Sequence, residues 1–144
     1  MTASYLILRR ITQSPFGTEL QSIRELSRDL TQLPIGYCLD TCHLLAAGFD
    51  IRTPAGLRAM IRNAEETLGW SNVPVIHTND SKAPLGSRVD RHEHIGEGTI
   101  GPEAFRRLLH DERFAQCAFI AETPVDAPGD EARNVAVLRT LAAG

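Results

Sequence analysis

The sequence lacks long apolar runs and an excess of positive charge, and it has few cysteines. Each shortage removes a class of protein. No stretch approaches the roughly 18 apolar residues that a membrane span needs. The apolar run at residues 5–8 is closed by Arg9 and Arg10 and is too short for a signal-peptide core. Cys38, Cys42 and Cys117 are an odd number without a disulfide-framework spacing, so a reducing, cytoplasmic compartment is expected. With 15 Lys+Arg against 18 Asp+Glu the formal net charge is −3, which speaks against nucleic-acid binding through a broad basic surface. Any phosphate contacts should therefore be local. Internal repeats and low-complexity segments are also missing.

What remains is an ordinary globular composition, 42% hydrophobic and 23% charged, which argues against disorder. Residues 1–144 have the length of a single domain. Strand-type runs and helical periodicity alternate along the chain. Residues 5–10 read as a strand. Leu20, Ile23, Leu26 and Leu30 carry helical spacing over residues 18–30. Residues 35–40 read as a buried strand. Thr53-Pro54 reads as an N-cap followed by proline at the first helical position, and Gly69 as the C-terminal cap of that helix. Residues 73–77 are a third strand, Gly101-Pro102 opens a helix, residues 117–122 are a fourth strand, and 131–141 a final helix. Four successive strand–helix units predict a parallel sheet in an α/β fold. Four units are half of an eight-fold barrel, whose full length is about 250 residues. A half barrel would leave open sheet edges, a feature that favours association.

The acids and histidines follow this frame. Asp40 ends the second strand and His43 follows it. His77 ends the third strand, Asp90 and His92 lie in the long loop beyond, and Glu122 ends the fourth. The C-terminal strand ends of a parallel barrel form one face, which carries the active site. Imidazole and carboxylate are zinc ligands, so their convergence there points to a metal centre. Each residue also has a plainer reading. Asp40 could cap a helix, His77 could bond a backbone carbonyl, and Asp90-Arg91-His92 could be a solvated turn. Glu122 could be a surface acid. His94 and His110 read as structural or exposed, and Cys38 and Cys42 as packing residues.

Longer motifs narrow the choice. Cys38-Leu39-Asp40-Thr41-Cys42-His43 with Ala46-Ala47-Gly48-Phe49-Asp50 resembles the CLDTCH…AAGYD signature of the endonuclease IV family, also called AP endonuclease family 2. His77-Thr78-Asn79-Asp80-Ser81-Lys82 resembles its H-x-NDSK motif. The segment from Gly86 through Asp90-Arg91-His92 to Gly101 resembles its G-S-x-x-D-R-H-x-x-I-G-x-G-x-I-G motif, and Glu122-Thr123-Pro124 its closing E-T-P. The four come in family order.

The resemblance implies the C-terminal half of a (β/α)8 TIM barrel with a trinuclear zinc site. It implies DNA repair by base excision, with cleavage of the phosphodiester 5′ to abasic sites. Matched by position, His43, Asp90 and His92 would hold one zinc. Asp40, His77 and Glu122 supply three of four ligands of a second, and form the implied catalytic set. Arg91 matches a residue near the DNA phosphate, with Lys82 and Arg88 as further phosphate partners.

The resemblance also has gaps. Two histidines for the remaining zinc precede the matching region. A glutamate that bridges two zincs has Arg9 or Arg10 at about its place in Leu8-Arg9-Arg10-Ile11-Thr12. One zinc position is then complete, one lacks a ligand and one is gone. The expected activity is weak, with self-association or a separate N-terminal half as the partner. Two alternatives stay open: a catalytically inactive zinc-binding fragment, and a sugar isomerase of the related xylose-isomerase-like type. The D-R-H and NDSK motifs speak against the isomerase.

Overall fold

A computed structural model describes Leu20, Gln21, Arg24, Glu25, Arg28 and residues 35–144. The strand expected at residues 5–10, with Arg9 and Arg10, lies outside them. The five early residues are helical. Leu20 is buried in the core and the other four are exposed, as the apolar spacing predicts.

Three short strands form a parallel sheet in the order β1 (Cys38–Asp40), β2 (Val75–His77), β5 (Ala118–Ile120). Each is shorter than the apolar run that announced it. The register sets Asp40 beside His77 and His77 beside Ile120. Two intended ligands are thus neighbours at one edge of the sheet because of strand pairing alone.

Helices connect the strands. Helix α1 (Thr41–Ala46) follows β1 directly, capped by Asp40. Helix α2 (Pro54–Leu68) begins as expected: Thr53 Oγ1 accepts the Gly56 N–H at 3.0 Å, with Pro54 in the first turn. It buries Leu57, Met60, Ile61, Ala64 and Leu68, spaced to form one stripe. It ends at Gly69, whose φ of 74° is left-handed and whose N–H returns to the Ala64 and Glu65 carbonyls. A 3-10 turn at Trp70–Asn72 follows, and Trp70 meets Phe114 edge-on with ring centres 5.0 Å apart. Helix α3 (Pro102–Leu109) buries Ala104, Phe105 and Leu108 and packs on α4 (Asp130–Ala143). No described helix is long and apolar enough to cross a membrane.

The long loop expected between His77 and Gly101 is partly a hairpin. β3 (Asp80–Ser81) pairs antiparallel with β4 (His92–Glu93), so His92 sits on a strand. Two residues carry no visible period, so the pattern could not announce these strands. The loop packs against the body of the fold: Gly86 and Arg88 donate their N–H groups to the carbonyls of Leu45 and Ala46 at the end of α1. Arg88 has a left-handed φ of 58°, unusual outside glycine.

Candidate metal centre

All six residues expected to bind metal meet at the C-terminal edge of the parallel sheet. Asp40 and His77 arrive there by register, with Asp40 Oδ2 3.6 Å from His77 Nδ1. Glu122, two residues past β5, brings Oε2 to 3.0 Å from the same nitrogen. His77 is 3% exposed, so its ring has no solvent to turn toward. Asp40, His77 and Glu122 each offer a ligand atom within 4.8 Å of the others.

The second trio is bound up with Asp90. Its Oδ2 lies 3.1 Å from His43 Nε2 and its Oδ1 3.1 Å from His92 Nε2. The hairpin delivers His92, and the first turns of α1 deliver His43. These three are joined pairwise through Asp90, while the close groupings of donor atoms that include His43 or His92 are Asp40 with His43 and His92, and Cys42 with Asp90 and His92. Cys42 is fully buried, and burial pushes its thiol pKa up, which suits a packing residue better than a thiolate ligand.

Asp40 uses its two oxygens differently. Oδ1 caps α1 by accepting the Cys42 and His43 N–H groups at 2.8 and 3.1 Å. Oδ2 faces His77 and His92. Burial alone would raise its pKa. Contact with His77 and the fields of His43 and His92 outweigh burial and hold it below the ordinary value. The His77 pKa is raised, first by Asp40 and further by Glu122, against the opposing effect of burial.

The donor chemistry fits a cation. His92 Nδ1 is 2.7 Å from the Glu122 carbonyl, so that nitrogen carries the proton and Nε2 presents a lone pair. Nε2 is buried and has no hydrogen-bond partner, although two carboxylate oxygens stand within 4 Å. A buried acceptor aimed among carboxylates and imidazoles without a hydrogen bond is what a shared cation would satisfy.

Beside the donors opens a polar cleft lined by Lys82, Asp90, Arg91, His92, Glu122, Thr123 and Pro124. Lys82 and Arg91 are exposed there, with Lys82 Nζ 4.0 Å from Glu93. Arg88 is exposed on the adjoining loop and does not line the cleft. Of the leftover histidines, His94 is buried with Nδ1 3.0 Å from the Asn134 amide, and His110 Nε2 lies 3.1 Å from the Leu141 carbonyl. His94 is thus structural, and His110 is exposed.

Sequence reading missed Asn79 and Asp80, although both stand in a quoted motif. Asn79 joins Asp40 to the Glu122 backbone. The fully buried Asp80 carboxylate accepts the N–H groups of Ser81, Gly96, Gly98, Ile100 and Gly101. It thereby folds the glycine-rich segment behind His92. A hydrogen-bonding partner sixteen or more positions away leaves no period in the sequence.

Comparison with known proteins gives the family. The family model described as "Xylose isomerase-like TIM barrel" matches residues 10–141. A probable endonuclease 4 of Solibacter usitatus is 63% identical over 124 residues, 86% of this chain and 43% of the relative. An apurinic-apyrimidinic endonuclease of Caenorhabditis elegans is 48% identical over 90 residues, 62% of this chain and 23% of the relative. The crystal structure of endonuclease IV from Thermus thermophilus superposes with a TM-score of 0.69 at 39% identity, covering 82% of this chain and 42% of that one. The chain thus spans less than half the length of these relatives, and their names are those of nucleases.

Proposed function

The chain belongs to the AP endonuclease 2 family of xylose isomerase-like TIM barrels, and from that premise we propose that it forms the zinc-holding part of a DNA-repair endonuclease. The substrate on this reading is DNA with abasic sites, cut on the 5′ side of the lesion. The observation that carries the proposal is the meeting at one sheet edge of the Asp40, His77 and Glu122 donors with His43 and His92, which Asp90 joins; the buried His92 Nε2 there makes no hydrogen bond although an Asp90 oxygen stands 3.1 Å away. Nuclease names among the relatives support the reaction class.

His43, Asp90 and His92 would hold one zinc, and Asp40, His77 and Glu122 a second. Zinc bound there supplies Lewis acidity: it neutralises an anionic phosphodiester and lowers the pKa of water from 15.7 to about 7. The chain's own contribution is placement. The sheet register and the Asp40 cap fix the donors before substrate arrives, which costs no reorganisation during reaction. Arg91 and Lys82 line the cleft where a phosphate would lie and offer charged donors to its oxygens. No side-chain nucleophile is required by this chemistry.

Asp40, His77 and Glu122 act on this reading as the catalytic set through the cation they hold. The Arg9/Arg10 position motivates a further expectation: this chain cleaves weakly by itself. The test is zinc content per chain, followed by incubation with a duplex carrying one abasic site. Zinc bound with cleavage abolished by Glu122→Ala supports the endonuclease. Zinc bound without cleavage supports the alternative, a catalytically inactive zinc-binding fragment. Absence of bound zinc overturns both.

A further inference from the structure

We propose that Asn79 is a positioning residue that fixes the Asp40–His77–Glu122 donor group by tying the Asp40 carboxylate to the backbone of Glu122. The inference rests on the metal-binding reading above. Asn79 is 0% exposed. Its Nδ2 donates to Asp40 Oδ2 at 2.7 Å, and its Oδ1 accepts the Glu122 N–H at 2.7 Å.

The chemistry of the two partners leaves the amide one orientation. An ionised carboxylate can only accept and a backbone N–H can only donate. Turning the amide over would set oxygen against oxygen and donor against donor. The backbone of Asn79 is held as firmly: the Thr41 hydroxyl accepts its N–H at 2.8 Å and bonds its carbonyl at 2.6 Å. Thr41 is also fully buried.

Topology explains the need. Asp40 ends β1, and Glu122 follows β5; β2 lies between these strands. No sheet hydrogen bond can therefore set the separation of the two acids. Asn79, two residues past β2, reaches both at once. The Glu122 carbonyl in turn bonds His92 Nδ1, so the clamped peptide also aims a ligand of the other trio. Aspartate at position 79 would face Asp40 with a second carboxylate, and alanine would remove this partner from both the Glu122 N–H and Asp40 Oδ2.

The test is titration of the metal-free 144-residue chain with Co2+, a spectroscopically visible substitute for zinc. Binding phases are assigned by Glu122→Ala and His43→Ala. In Asn79→Ala and Asn79→Asp, affinity in the Glu122-dependent phase should fall about 10- to 100-fold, and clearly less in the His43-dependent phase, which the clamp reaches indirectly through the Glu122 carbonyl and His92. Asn79→Asp keeps the size of the side chain and an acceptor for Glu122, which guards against misfolding of the alanine variant. Equal losses in both phases would mean a general structural role and overturn the proposal, as would no loss. If the unsubstituted chain shows no Glu122-dependent phase, the metal reading fails. The clamp is then decided by amide hydrogen exchange without metal. Exchange at Glu122 about tenfold faster in Asn79→Ala supports the clamp, and unchanged exchange overturns it.

Discussion

Gly98 lies against Asp80 so closely that no other residue fits between them. Its N–H donates to Asp80 Oδ2 at 3.1 Å, and a Cβ added at position 98 would stand 2.5 Å from Asp80 Oδ1. Because Asp80 gathers five N–H groups, this one contact governs the whole turn behind His92. Gly98→Ala should cost about 1–3 kcal/mol, the usual range for forced overpacking. The urea unfolding midpoint of the metal-free chain is the measurement, and an unchanged midpoint would show that the turn can shift.

Zinc should stabilise the chain and chelation should reverse the effect. A ligand that binds only the folded state adds about 2.7 kcal/mol at a concentration 100 times its dissociation constant. Thermal melting with and without EDTA reads this directly. His92→Ala should lose most of the zinc-dependent rise. Persistence of the full rise in that variant would place the cation elsewhere.

Arg91 should contribute to DNA binding through phosphate alone. Arg91→Ala should weaken binding to abasic and undamaged duplexes alike, and reduce the slope of log affinity against log salt by about one. Fluorescence anisotropy at several salt concentrations checks it. A loss confined to abasic DNA would assign Arg91 to lesion recognition instead.

Acid should dissolve one particular loop-to-helix contact. Asp130 Oδ2 accepts the N–H groups of Ala127 and Asp126 at 2.7 and 3.0 Å. The Ala127 bond is the largest influence; with the Asp126 bond and the charges of Arg133 and His94 it outweighs the opposing effect of burial and holds the pKa below the ordinary 3.8. The folded value is the lower one, so its stabilisation is complete above the unfolded value and disappears as pH falls through the folded one. The stability gap between the unsubstituted chain and Asp130→Ala should be constant near neutrality and close below pH 3.8. Chemical unfolding at a series of pH values tests this; a gap that persists at the lowest pH would exclude the carboxylate as its source.

Much of the frame was legible in the residues. The Thr53 cap, Pro54 and Gly69 bound α2 because capping is local chemistry that a few adjacent letters specify. The apolar runs located β1, β2 and β5; burial accounts for β1 and β2, whereas β5 is apolar with Ala118 and Ile120 exposed. Strand ends then gave the acids and histidines a shared edge. The β3–β4 hairpin was not legible, since two-residue strands carry no alternation. Asn79 and Asp80 were read as motif letters without roles, because their partners stand between one and 43 positions away and are chosen by tertiary structure. For Asp40 the sequence offers a helix cap and a ligand as rival readings; the cap is observed, and the other oxygen faces His77 and His92.

That double use has a consequence for genetics. With one oxygen of Asp40 engaged by a helix and the other turned toward the donors, a mutational screen would misfile this position. Asp40→Ala would score as a folding defect, since losing a cap costs about 1 kcal/mol, and its effect on chemistry would be hidden behind lower yield. Asparagine keeps a capping oxygen while giving up the anionic charge. The pair of variants, and neither alone, separates a letter needed to build the protein from a letter needed to run it.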